Sequence, residues 1–263
     1  MIKHHFKGRV LTIAGTDPTC GAGMPLDIRM INHLGGIPQA AVSAITVQDT
    51  AQVSIVHPLP GNLVAQQMRA ALDDIGVDCI KLGMLATADI VTAVVATLEL
   101  YPNIPIVADP VLAGTGGGVL LDPEGLDLWR RFLLPRVTLV TPNLPEAHIL
   151  VADRPQNNTF STQESLAAAL ASRGCSVLLK GGHAEGMEVV DLLWHQGHAT
   201  RHRHPRLPGI SFHGTGCALA AAIATFLAFG LPLEEGVEKG LAVVLKAMEN
   251  GSILGRGQRL LKV

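Results

Sequence analysis

The residues best suited to chemistry in this chain lie in His213-Gly214-Thr215-Gly216-Cys217, directly ahead of an apolar run, Ala218 to Leu231. Two glycines flanking Thr215 allow a tight turn that brings backbone N–H groups close to a ligand. Ala218, Ala220, Ala221, Ala222 and Ala224 favour helix, and Leu219, Ile223, Phe226 and Leu227 make it apolar on every side, hence buried. The first N–H groups of such a helix have no internal partner and lie at the positive end of its dipole. The turn therefore predicts an anion site, phosphate above all, with Gly214, Thr215 and Gly216 as its donors. Cys217 stands in the first helical turn, where the same field predicts a thiol pKa below the free value of about 8.5 and a role as base or nucleophile. Taken alone, Gly-Thr-Gly before a helix is a weak motif, and a cysteine on an apolar helix is more often a small core residue.

A second set of polar residues recurs at the ends of short buried strands. Arg9 to Ala14 reads as a strand running into the glycine-rich Gly15 to Gly23, followed by a helix from about Met24 to Leu34. Gln39 to Val47 and Val53 to His57 read as strands, and Leu63 to Ile75 as a helix. Cys79 to Leu82, Ile104 to Ala108, Val137 to Val140 and Ser176 to Leu179 are further buried strands, with a helix over about Ala88 to Leu100. Val189 to His195 and Ala199 to Arg203 form a hairpin turning at Gln196-Gly197-His198, and Ser161 with Glu164 predicts a helix-capping box. Short buried strands alternating with helices imply an α/β fold of three layers, a mostly parallel sheet with helices on both faces, in one domain spanning 1–263. Such sheets bind ligands beyond the carboxyl ends of their strands, where Asp17, Gln48, Met84, Asp109, Asn143, Glu146 and Lys180 all fall.

That inventory suits phosphoryl transfer. Gly214 to Cys217 supply amides, Asp109 and Glu146 supply carboxylates for a metal ion, Lys180 supplies charge for the transferred group, and Cys217 is the base. Each residue has an ordinary reading beside this one. Asp109 and Asn143 could be loop caps, Glu146 a carboxylate stabilised at a helix N-terminus, and Lys180 a solvated lysine. Coincidence at so many strand ends is the poorer explanation.

Composition narrows the class. The chain has 263 residues with 48% hydrophobic and only 16% charged, so the expected state is a self-associated one, a homodimer. A net charge of −2 gives no footprint for nucleic acid or an anionic membrane. The apolar run Cys217 to Leu231 is shorter than the roughly 20 residues that span a bilayer, and no signal peptide is read at the start. Cys20, Cys79, Cys175 and Cys217 form no CxxC pair and lie in segments that look internal, which fits reduced thiols in a cytoplasmic protein.

The motifs GTDPTCGAG, AITVQDT, KLGMLA, DPVLAGTGGG, TPNLPEA, LLKGGH and HGTGC, in this order, resemble the hydroxymethylpyrimidine/phosphomethylpyrimidine kinases of thiamine biosynthesis, within the ribokinase-like superfamily. The likeness runs from about Val10 to Phe229, and HGTGC is specific to this branch, most ribokinase-like kinases having aspartate where Cys217 stands. The resemblance implies ATP- and Mg²⁺-dependent phosphorylation of the hydroxymethyl group of 4-amino-5-hydroxymethyl-2-methylpyrimidine, then of its monophosphate. By motif position, Gly15, Ala22, Asp27, Gln48, Met84 and Val111 line the pyrimidine pocket. Asn143, Glu146 and Lys180 serve ATP and Mg²⁺, and Asp109 is a second metal carboxylate.

The chain departs from the family at several points. Gly114-Thr115-Gly116-Gly117 replaces the common Ala-Lys-Ser-Gly, so Thr115 and Gly116 stand for Lys-Ser and a phosphate-neutralising charge is lost. This change bears on which of the two phosphorylations is retained. Cys20 takes a usual glycine position, Pro25-Leu26 replaces Gln-Ala, and Gly255-Arg256-Gly257-Gln258 lacks the usual Gly-Pro finish. Three alternatives stand beside the kinase reading: pyridoxal kinase, a non-catalytic pyrimidine binder, and an ATP-dependent dehydratase of damaged nicotinamide nucleotides, for which an aspartate in place of Cys217 is expected. The histidines His4-His5 and His202 to His204 read as solvated.

Overall fold

The computed structural model describes residues 7–113, 118–152, 160, 162–182, 186–207 and 211–263. In chain order its first elements are β1 (Arg9–Ala14), α1 (Gly23–His33), β2 (Ile37–Val42), β3 (Ala44–Gln48), β4 (Val53–Pro58), α2 (Gly61–Asp74) and β5 (Cys79–Leu82). There follow α3 (Ala88–Glu99), β6 (Ile106–Ala108), α4 (Pro123–Leu128), β7 (Leu139–Val140), α5 (Leu144–Val151), α6 (Gln163–Ala171) and β8 (Ser176–Leu179). The chain continues through β9 (Glu188–His195), β10 (His198–Pro205), β11 (Phe212–His213), α7 (Thr215–Ala228), α8 (Leu233–Glu249) and β12 (Arg259–Leu260).

Eight strands form one sheet in the order β10-β9-β8-β7-β6-β5-β1-β2, parallel from β8 to β2 and antiparallel at the β9–β10 edge. Side chains alternate across it as strand geometry requires. Leu11, Ile13, Ile80, Leu82, Ile106, Val177 and Leu179 pack with α2, α3, α5 and α6 on one face, while Val10, Cys79, Val107, Leu139 and Leu178 pack with α1, α7 and α8 on the other. The three layers expected from the sequence are present.

Three elements differ from the sequence reading. Gln39 to Val47 is two strands, because Ser43 turns the chain out of the sheet: its hydroxyl donates to the Met84 carbonyl at 2.5 Å and its carbonyl accepts from Leu59 N at 2.8 Å. β3 and β4 then pair as a separate antiparallel ribbon. Helix α8 was not read from the sequence, although Leu233, Val237, Leu241, Val244 and Ala247 recur at helical spacing and are buried. The capping box of α6 is Thr162 with Ser165, while Glu164 pairs with Arg201; Ser161 lies outside the described residues. The hairpin forms as expected, Gln196 and Gly197 both taking positive φ (49° and 82°) in its two-residue turn.

Candidate active site

The strand ends open onto a cavity of about 850 Å³. Gly15, Ala22, Gln48, Met84, Asp109, Val111, Asn143, Glu146, Lys180, Gly214, Thr215, Gly216 and Cys217 all border it. Gly114 to Gly117, including Thr115 and Gly116, lie outside the described residues.

At one end, Gly214 caps α7 with a left-handed φ of 79°, and a Cβ there would lie 2.0 Å from the Gly21 carbonyl oxygen. Only glycine meets both conditions. Two residues on, a Cβ at Gly216 would lie 3.0 Å from Lys180 Nζ and 3.1 Å from Asp109 Oδ2, so the helix N-terminus abuts these two charges. Lys180 donates to Asp109 Oδ1 at 3.0 Å. Burial works to lower the Lys180 pKa, but the charges of Asp109 and Glu146 outweigh it and raise the value. Asn143 and Glu146 form a reciprocal capping box at α5, each backbone N–H donating to the other's side-chain oxygen at 2.8 Å. The capping reading and the cavity-lining reading of this pair thus both hold. Burial, with help from Asp109, pushes the Glu146 carboxyl up to about 7 against the pull of Lys180.

Cys217 corrects the expectation for its thiol. Burial pushes it up to about 11, and the Asp109 and Asp27 charges act in the same direction. Lys81 and a hydrogen bond with the Gly23 backbone oppose this without overcoming it. Desolvation therefore outweighs the helix field.

At the other end, the Met84 methyl fills the space beside Gly15, where a Cβ would fall 2.3 Å from it. Asp17, buried, joins the two glycine turns: it accepts from Ala22 N at 2.8 Å and from Thr19, and meets His213 Nε2 at 3.0 Å. Despite burial, hydrogen bonds from His213, Gln48 and Thr19 hold the Asp17 carboxyl down at about 2. Asp27, expected in the pyrimidine pocket, lies beneath the cavity instead, fully buried, accepting from Thr12 Oγ1 at 2.6 Å and Lys81 Nζ at 2.7 Å. Thr12 and Lys81 were missed in the sequence. Their signal was a lysine inside the four-residue buried strand β5, where a charge must have a counter-ion.

Two smaller corrections follow. Cys20 is exposed, not internal, and its φ of 55° is the conformation glycine adopts without strain. His204 is not solvated: it meets buried Asp191 at 3.1 Å, which raises its pKa, and Asp191 also accepts from Gly181 N at 2.8 Å. His4 and His5 lie outside the described residues. Among the described residues no helix is long and apolar enough to cross a membrane, and no group of three or more His, Cys, Asp or Glu could by itself hold a metal.

A family model described as phosphomethylpyrimidine kinase matches residues 17–262. The bifunctional thiamine biosynthesis protein ThiED of Geobacter sulfurreducens is 38% identical over 95% of this chain, and the chain spans about half (51%) of that protein's length. The hydroxymethylpyrimidine/phosphomethylpyrimidine kinase of Mycobacterium bovis is 41% identical over 95% of this chain and 91% of its own. The pyridoxal kinase of Staphylococcus aureus in complex with ADP superposes with a TM-score of 0.87 at 32% identity, covering 98% of this chain and 93% of that one. The fold is ribokinase-like, and the chain belongs to the phosphomethylpyrimidine kinase family.

Proposed function

We propose that the protein, as one kinase domain, phosphorylates the hydroxymethyl group of 4-amino-5-hydroxymethyl-2-methylpyrimidine, or the phosphate of its monophosphate, using ATP. The observation that carries this reading is the junction of the α7 N-terminus with the Lys180–Asp109 ion pair, 3.0 Å across, packed so closely that a Cβ at Gly216 would lie 3.0–3.1 Å from both side chains. Backbone donors, a helix dipole and a half-buried ammonium meet there, a combination suited to the negative charge that develops during phosphoryl transfer. In the first reaction the acceptor oxygen forms its bond to the γ-phosphorus, the bond to the β-phosphate oxygen breaks, and ADP leaves. The hydroxyl proton goes to the Cys217 thiolate. Burial raises the thiol to about 11, so base function requires the bound complex to lower its pKa; Lys81 is the cation already placed to favour the thiolate.

Asp109 and Glu146 fit Mg²⁺. Both offer hard carboxylate oxygens, and two carboxylates completed by substrate phosphates are a usual Mg²⁺ set. When bound, the ion neutralises charge on the transferred group. At the other end Met84 packs on the ring and the Gln48 amide pairs with its aminopyrimidine edge. Four free cysteines suit a reducing cytoplasm. Ile45, Val47 and Ile55, each 45–56% exposed on the β3–β4 ribbon, suit a second copy in a homodimer.

Steady-state transfer from ATP to the pyrimidine, its monophosphate and pyridoxal tests the reading. Turnover of either pyrimidine in preference to pyridoxal supports it. The likeness to the pyridoxal kinase favours the second reading, and preferential turnover of pyridoxal would establish that one instead.

A further inference from the structure

The β3–β4 ribbon stands outside the main sheet, and a two-stranded ribbon has little stability of its own. What holds the ribbon therefore decides where Gln48 lies. Gln48 ends β3 at a register shift between Val47 and Gln48, a bulge of the kind that re-aims a side chain, and it borders the cavity. Two residues before it, Thr46 is tied to the first glycine turn: its Oγ1 donates to the Thr16 carbonyl at 2.7 Å and its N–H to Thr16 Oγ1 at 3.1 Å. Two residues after it, Thr50 is buried at the turn of the ribbon.

The partner of Thr50 comes from beyond α8. Ser252 and Leu260 bridge each other, each backbone N–H donating to the other's carbonyl at 3.0 Å, so residues 252–260 close into a C-terminal strap. The base of the strap pairs through β12 with β11, the strand that ends at His213 before the anion turn. Its tip lies on the ribbon. Gly257 N donates to Thr50 Oγ1 at 3.0 Å, Gln258 N donates to the Thr50 carbonyl at 2.9 Å, and Arg256 pairs with Asp49 at 2.7 Å. The Arg256–Asp49 pair is exposed and contributes little. The bonds and close packing around Thr50 carry the attachment. A Cβ at Gly257 would lie 2.1 Å from the Thr50 carbonyl oxygen and 2.6 Å from Ala51 Cα, backbone atoms that cannot move without shifting the ribbon.

We infer that the strap is a positioning element for the acceptor: by holding Thr50 it fixes the Gln48 carboxamide at the cavity wall. The inference rests on the pyrimidine-kinase reading, in which Gln48 meets the aminopyrimidine edge. Neither Thr50 nor Gly257 borders the cavity, so both act through Gln48 and not by touching the acceptor. Thr46 and Thr50 hold the bulge from its two sides, and releasing Thr50 frees the side next to the turn.

The test is a double-mutant cycle on the full chain, read by steady-state kinetics. Gly257→Ala should raise KM for the pyrimidine acceptor at least about tenfold, with KM for ATP within about twofold of wild type. In a Gln48→Ala background the same substitution should change the pyrimidine KM by less than about twofold, because the group it displaces is already gone. Thr50→Val keeps the shape and loses the hydroxyl; it should raise the pyrimidine KM about threefold, and Thr50→Ser should bring it back near wild type. This second pair decides the matter if Gly257→Ala does not fold. Additive effects of Gly257→Ala and Gln48→Ala, or equal rises in both KM values, would show that the strap only braces the fold. A wild-type pyrimidine KM in Gly257→Ala and Thr50→Val would show that it is idle. These outcomes overturn the inference and leave the kinase reading standing, whereas failure of wild type to phosphorylate either pyrimidine would overturn both.

Discussion

The two ends of the cavity are built differently. The phosphate end rests on sheet strands and two helix N-termini: Asp109 follows β6, Lys180 follows β8, Asn143 and Glu146 cap α5, and Gly214 caps α7. Lys180 pairs with buried Asp109, and Glu146 is fixed by its capping box with Asn143, so these side chains are held in position by the protein itself. The end proposed to take the pyrimidine rests on a two-stranded ribbon outside the main sheet and on the C-terminal strap, with Ile45, Val47 and Ile55 exposed. On the proposed reading, the strand ends serve the chemistry common to phosphoryl transfer, and the ribbon serves the choice of acceptor.

This contrast can be broken by substitution. The largest effect on stability should come from Asp27→Ala, which leaves the Lys81 ammonium fully buried without its counter-ion. A loss of about 3–5 kcal/mol in denaturant unfolding is expected. A loss below about 1 kcal/mol would mean that the pair is not a buried support of the phosphate end.

Asp17 ties the two ends together and gives a pH signature. Its folded-state pKa, about 2, lies below its ordinary value of 3.8, so its contribution is fully present above about pH 4 and is lost as pH falls toward 2. By linkage that contribution is about 2 kcal/mol. Unfolding free energies of wild type and Asp17→Asn, measured from pH 5 to pH 2, should converge by this amount; a constant gap between them would contradict the assignment.

The smallest effect probes the acceptor end alone. Gly15→Ala puts a methyl 2.3 Å from the end of the flexible Met84 side chain, which must move along the pocket wall. KM for the pyrimidine should rise about tenfold, a cost of about 1.4 kcal/mol, with KM for ATP unchanged. Equal rises in both constants would erase the division between the ends.

The same division explains what the sequence discloses. Strand-end residues such as Asp109 and Lys180 are legible because each follows a short apolar run, and the anion turn because glycines and an apolar helix leave a local pattern. Asp27 was misplaced because a motif position does not say whether a carboxylate faces the cavity or a buried lysine one strand away. The Cys217 thiol was misjudged because the helix field is local and visible, whereas desolvation depends on everything packed around the sulfur.

The central claim is that Cys217, at the phosphate end, performs the chemistry and does not hold the acceptor. The most direct test measures kcat together with the equilibrium affinity for the pyrimidine in wild type and Cys217→Ala. We expect kcat to fall at least about a hundredfold, as for loss of a general base, while the dissociation constant of the pyrimidine stays within about threefold. A variant that keeps kcat within a few-fold of wild type would contradict the account.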